Sequence, residues 1–329
     1  MRLYEAKLIH HYNHRFSTFD GVSPKDLAAG KSRGTSTIEL IDASFVAKPR
    51  YWVSELAFNE VVSKYGDQLG WLLCYRDVAR ATDERTCIAA VIPFTAGTRS
   101  SPCIGLECPH DRAILAAMFS AFFCDFVARL KVPGIHLNYT ILKQLPLVRK
   151  SVFESPALWS QRTCVAQWIR LRFLELTYSA RDLEPFALDC GYDGPPFRWD
   201  EERRFLLRCE LDAAYFHLYL GESEEWGNDN PQLREMFPTP RHAVEYIMET
   251  FPIVKRKDIK RHGDYRTKLV ILDLYDQMQQ AMESGSPFHS QLDPPAGPPT
   301  DSEGNFIPMA DWDLHHWPSH IHPPRDPIT

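Results

Sequence analysis

Trp71-Leu-Leu-Cys-Tyr-Arg76 and Thr86-Cys-Ile-Ala-Ala-Val-Ile-Pro93 are two short apolar runs on either side of a polar turn, Thr82-Asp-Glu-Arg85. Runs of this length, bounded by turn residues, predict two strands. A longer segment follows, His110 to Lys131, with apolar residues at helical spacing and few breakers, and it predicts a helix. Upstream, Leu3-Tyr-Glu-Ala-Lys-Leu-Ile9 predicts a strand running into a loop rich in His, Asn and Arg. Residues 20–36 are turn-rich, 37–53 contain another extended segment, and 54–64 predict a short helix. Gly134 to Leu147 predicts a short strand and a short helix ending at Pro146. Strands and helices mixed in this order point to an α+β fold over 1–150.

After residue 150 the pattern is helical. Residues 156–182, 200–220, 240–250 and 265–283 predict helices, separated by Gly/Pro punctuation at 190–196 and 227–231. The composition shifts again at Gly285. Residues 286–329 hold ten prolines and one Lys or Arg, the mark of a largely irregular tail. The expected plan is an α+β domain (1–150), a helical domain (151–284) and a Pro/His-rich tail (285–329). There is no internal repeat.

The chain has 329 residues, 44% hydrophobic and 24% charged. That composition excludes a wholly disordered chain and supplies a core. No stretch approaches the ~18 apolar residues of a membrane helix, and the N-terminus lacks the apolar segment of a secretion signal. A cytoplasmic protein with no membrane partner is the expectation. The eight cysteines include no Cys-x-x-Cys, which argues against structural zinc. Five histidines in the tail (His289, His315, His316, His320, His322) have no thiol or carboxylate spacing that defines a metal site.

Net charge is −6, but it is unevenly spread. Residues 1–150 hold 19 Lys+Arg and 14 Asp+Glu, a net of +5, and the remainder holds 18 and 29, a net of −11. This asymmetry places a basic face, suited to phosphates, on the N-terminal part.

Catalytic motifs are missing. Ala29-Gly-Lys-Ser32 echoes a phosphate loop, but position 25 is Lys where the first glycine belongs. No dinucleotide fingerprint or Gly-x-Ser-x-Gly elbow occurs. Glu5-x-Lys7 has too little chain before it to share a metal with an upstream carboxylate. A nuclease built on Asp42, Glu55 and Asp77 has no metal-ligand spacing behind it. What remains is a set of planar and cationic side chains: Leu8-Ile-His-His-Tyr-Asn-His-Arg15, then Arg76, Arg80, Arg85 and Thr86. Arg and Asn read base edges, and Arg and Lys bind phosphate. Local ion pairs, such as Arg76 with Asp77 or Arg85 with Asp83, are the competing reading.

Five segments carry a resemblance. They are Leu3-Tyr-Glu-Ala-Lys-Leu-Ile-His-His-Tyr-Asn-His-Arg-Phe16; Tyr75-Arg-Asp-Val-Ala-Arg through Pro93; Lys131-Val-Pro-Gly-Ile-His-Leu-Asn-Tyr-Thr-Ile-Leu-Lys-Gln-Leu-Pro146; Phe197-Arg-Trp-Asp through Ala213; and Phe251-Pro-Ile-Val-Lys-Arg-Lys-Asp through Lys268. In this order they resemble the C-terminal region of large adenine-specific DNA methyltransferases of bacterial defence systems. That group includes single-chain restriction–modification enzymes and the methylases of DISARM and BREX islands. The resemblance implies a target-recognition domain with a helical extension. It also implies double-stranded DNA and a separate catalytic methyltransferase, or methyltransferase–nuclease, as partners.

The family's S-adenosylmethionine loop and its Asn-Pro-Pro-Tyr/Phe site are missing. Gly194-Pro-Pro-Phe197 has glycine where the asparagine must accept the base's amino group. The cofactor is therefore expected in the partner, with no catalytic, cofactor or metal residue in this chain. The expected DNA contacts are His11, Asn13, His14, Arg15, Arg76, Arg80, Arg85, Thr86, Asn138 and Lys143, with His11, Asn13 and Arg15 alternating along one strand face. The alternative is a protein–protein scaffold of a defence complex that does not itself read DNA.

Overall fold

The structure is a computed structural model that describes residues 1–65, 69–160, 163–221 and 225–324. Helix outweighs strand, 47% to 11%, and the strands form small separate sheets, so the chain is α+β with a helical C-terminal region.

The two opening runs form the central sheet. Trp71–Tyr75 pairs antiparallel with Ala89–Pro93 on one side and with Cys103–Ile104 on the other. Trp71–Tyr75 is buried along its whole length because both faces meet a core. Trp71, Leu73, Tyr75, Ala89 and Val91 point into the large core, towards the helix Pro109–Ser120. Leu72, Cys74, Ala90 and Ile92 point into a smaller one with Tyr4, Leu8, Ile9 and Phe19. The period of two along each strand thus divides one apolar run between two cores. A second sheet places Arg2–Tyr4 between Tyr51–Trp52, antiparallel, and Ala96–Gly97, parallel.

The expected helix 110–131 is two helices, Pro109–Ser120 and Phe122–Lys131, bent by 69°. Ala121 is extended between them (φ −72°, ψ 146°), and the buried Asp212 carboxylate accepts the Phe122 N–H at 2.7 Å. A capped second N-terminus is a cheaper arrangement than an unpaired buried amide. Among the described residues no single helix is long and apolar enough to cross a membrane.

Glu201–Leu220 is the axis of the helical region. It packs on Arg266–Ser284, Val165–Thr177 and Phe122–Lys131. Its N-terminus is closed by Asp200, which accepts the Arg203 N–H at 2.8 Å. The expected helix 156–182 shrinks to Val165–Thr177, because Pro156 and Cys164 pair as an isolated bridge; positions 161 and 162 lie outside the described residues.

Among its described residues the tail forms no helix or strand beyond two short 3-10 turns, Met309–Asp311 and Leu314–His316, yet it is fastened to the body. Leu292, Ala296, Trp312 and Ile321 join the large core, which also takes side chains from 1–150 and from 151–284. Arg203 donates to the Pro294 carbonyl at 2.7 Å, and His320 meets the Gly297 carbonyl at 2.8 Å. The Gly-Pro-Pro-Phe turn is sealed. Phe197 has no exposed surface, and a Cβ at Gly194 would stand 2.4 Å from the Tyr192 hydroxyl. Steric need accounts for that glycine.

Candidate nucleic-acid interface

The His-rich segment turns back on itself instead of continuing as a strand. His10 and Asn13 exchange both backbone hydrogen bonds, at 2.8 and 3.0 Å, around Tyr12, whose φ of 56° is left-handed. That conformation costs a non-glycine residue about 1–2 kcal/mol, and neighbours hold it in place. Arg204, buried on the axial helix, donates to the Tyr12 carbonyl at 3.1 Å and to the Leu176 carbonyl at 2.7 Å. The expected shared face for His11, Asn13 and Arg15 is therefore not formed.

Most of the expected DNA contacts turn inward. Arg15 has no exposed surface. Its guanidinium donates to the carbonyls of Leu40 (3.0 Å), Asp42 (2.8 Å), Phe45 (3.2 Å) and Ser179 (3.0 Å). Burial pulls its pKa down to about 10. It cross-links three stretches of chain and cannot reach a phosphate. His14 is equally buried and meets Asp182 at 2.8 Å. Asn13 is buried and spends its side-chain oxygen on the Arg15 N–H at 2.8 Å. Thr86 is buried, its N–H on Asp125 and its hydroxyl on the Arg80 carbonyl.

Arg76 is half-buried, gives two donors to the Ile9 carbonyl and lies over the Phe16 ring. Arg85 pairs with the fully buried Asp125 at 2.5 Å, donates to the Ser120 carbonyl at 2.7 Å and lies 4.0 Å over the Phe122 ring. A buried pair of this kind is a structural joint, because breaking it strands a charge. Three of the expected contacts are exposed: Arg80, Asn138 and Lys143. Asn138 caps the helix Tyr139–Leu142 through the Ile141 N–H, and Lys143 covers the Tyr139 ring.

Two of the expected residues, His11 and Arg85, meet at a cleft of about 340 Å³. One wall is the His10–Tyr12 turn, and the opposite wall is the axial helix, the helix Pro252–His262 and the start of Arg266–Ser284. Arg208 lies one turn beyond Arg204 on the axial helix. The first lines the cleft, and the second holds the Tyr12 turn beside it.

The charges in the cleft are unequally satisfied. Lys257 pairs with Glu84, and Arg266 forks onto Glu202. Among the described residues, Arg208 and Arg261 have no carboxylate partner. His11 is 7% exposed and both its ring nitrogens lack a hydrogen-bond partner. Burial pulls the pKa values of His10 and His11 well below the usual range, and the positive charges of Arg76, Arg85 and Arg208 add to the effect. Five cations (Arg85, Arg208, Lys257, Arg261, Arg266) and five acids (Glu84, Glu201, Glu202, Asp212, Asp258) line the cleft. Burial pushes the pKa of Asp212 up to about 7, although Arg85 and the Phe122 N–H favour the charged form.

The helix Pro252–His262 carries cations from the cleft to the surface. It holds Lys255, Arg256, Lys257, Lys260 and Arg261 against one acid, Asp258, and buries no residue. Lys255 pairs with Glu249 at 2.7 Å. Arg256, Lys260 and Arg261 are exposed and have no carboxylate partner among the described residues. Lys260 and Arg261 also suit the negative end of the helix dipole, but Arg256 sits too early for that. Sequence reasoning missed Arg208, Arg256, Lys260 and Arg261. The signal was local: five Lys or Arg within residues 255–261, hidden by averaging over an acidic half.

Comparison of the chain with protein-family models, with curated proteins and with solved structures finds no match in any of the three.

Proposed function

We propose that this chain is a DNA-binding target-recognition subunit that positions a separate N6-adenine methyltransferase, which carries the S-adenosylmethionine. The observation behind this reading is the trio Arg256, Lys260 and Arg261, exposed and without a carboxylate partner among the described residues, on a helix bordering a cleft that Arg208 and His11 line. Guanidinium and ammonium groups left without carboxylate partners on a solvent-facing helix have their donors available to phosphates. The phosphate-facing element is the basic helix, which replaces most of the N-terminal arginines in that role. Arg80 and Lys143 remain exposed cations of the N-terminal part.

The test is duplex-DNA binding by the purified chain across a salt series, compared with a variant carrying R256E, K260E and R261E. Binding should be salt-sensitive. The slope of log K against log salt should flatten in the variant by roughly 0.9 for each phosphate that the helix no longer neutralises. Equal affinity and equal slope in the two proteins would overturn the assignment.

The scaffold reading keeps one observation in its favour: Arg15, Arg76 and Arg85 are occupied by internal partners. Under that reading the chain binds a methyltransferase tightly at any salt concentration and binds DNA at none.

A further inference from the structure

The central sheet brings two cysteines together, away from the cleft. Cys74 and Cys103 stand directly opposite each other on neighbouring antiparallel strands. Tyr75 N–H donates to the Pro102 carbonyl at 3.1 Å, and Asp77 N–H to the Ser100 carbonyl at 2.9 Å. The hydrogen-bonded pairs are therefore 75/102 and 77/100, and 74/103 is a non-hydrogen-bonded pair. Such pairs hold opposing Cα atoms about 4.5 Å apart, at the near edge of the range a disulfide spans. The two sulfurs are 2.7 Å apart, so closing the bond needs little movement of either strand.

Access differs between the two sulfurs. Cys103 is exposed, whereas Cys74 has no exposed surface. Burial, together with the Cys103 sulfur, raises the pKa of the Cys74 thiol well above the usual range. The outer sulfur is therefore the one an oxidant reaches from solvent, and the inner one is placed to resolve it.

We propose that Cys74 and Cys103 form an oxidisable dithiol site whose co-substrate is a peroxide. Cys103 gives its proton to solvent and its thiolate attacks one peroxide oxygen; the O–O bond breaks, Cys103 becomes a sulfenic acid, and the other oxygen leaves as hydroxide, which takes up that proton to become water. The Cys74 sulfur then attacks the Cys103 sulfur, giving up its proton as the sulfenic oxygen leaves as a second water. Two thiols and one hydrogen peroxide become one disulfide and two waters. The bond pins the two-residue strand Cys103–Ile104 to the centre of the sheet. It also fixes one wall of an apolar cavity of about 580 Å³ that Cys103 shares with Leu3, Phe58, Leu72 and Phe94.

The protein contains its own control. Cys87 and Cys124 both lie in the large core, and neither has any exposed surface. Solvent access separates them from Cys103.

The experiment uses the full chain, reduced and then treated with limiting hydrogen peroxide, with thiols counted after denaturation. The eight cysteines should fall by two, to six, and peptide mapping without reductant should join the Cys74 and Cys103 peptides. C103S should keep all seven of its thiols (eight less one). C74S should leave Cys103 trappable as a sulfenic acid by a dimedone-type probe. Retention of eight thiols, a Cys103 sulfinic acid with no link to Cys74, or equal closure of Cys87 and Cys124 would each overturn the proposal.

Discussion

The His10–Arg15 turn and the helix Pro252–His262 are both rich in cationic and planar side chains, and the fold uses them in opposite ways. In the first, each side chain from His11 to Arg15 is buried, and Arg15 gives its donors to backbone carbonyls. In the second no residue is buried, and three cations have no carboxylate partner among the described residues. An arginine becomes a joint where it is desolvated beside carbonyls that would otherwise go unpaired. Where the chain leaves it hydrated and unmatched, its donors stay available to an external anion. Residue type is shared by the two segments, and the environment sets the role.

The contrast breaks first at Arg15. R15A would leave the carbonyls of Leu40, Asp42 and Ser179 without their donor and open a gap in the core. A loss of about 3–5 kcal/mol is expected, enough to unfold a marginal protein, and urea denaturation checks it. Retention of wild-type stability would contradict the structural role.

A smaller and pH-dependent effect is expected at Asp212. Its folded pKa of about 7 lies above its ordinary value of 3.8. Between those values the unfolded chain is ionised while the folded one stays protonated. Stability therefore falls as pH rises from about 4 towards 7, by at most roughly 4 kcal/mol. D212N keeps an oxygen for the Phe122 N–H and should remove that part of the pH dependence. An unchanged stability–pH profile in D212N would show that the buried carboxyl does not titrate as argued.

The exposed pair Lys257–Glu84 marks the lower end of the scale. With the Lys257 side chain 63% exposed, E84Q should change stability by about 0–1 kcal/mol. It also frees Lys257 beside the cleft, so DNA affinity should rise at low salt. A large loss of stability would show that the cleft wall is more tightly coupled than its exposure implies.

How much of this was legible in the sequence varies by element. The strands at 71–75 and 89–93 could be read because the signal is local. The break at Ala121 could not, because the group that caps the second helix is Asp212, 90 positions away. Arg15 misled for the same reason: its acceptors lie 25 to 164 positions downstream. The basic helix was legible as a charge run, but summing charge over the half-chain erased it. The Cys74–Cys103 pair was illegible because Cys103 lies in a strand of two residues, which no periodicity can register.

Under the proposed function the outward-facing helix, and not the inward-facing turn, meets DNA. The most direct measurement is duplex-DNA affinity across a salt series for the wild-type chain and for the variant carrying R256E, K260E and R261E, with circular dichroism confirming that both are folded. Salt-sensitive binding by the wild type that is lost in the folded variant is the expected result. Identical binding by the two proteins would contradict it.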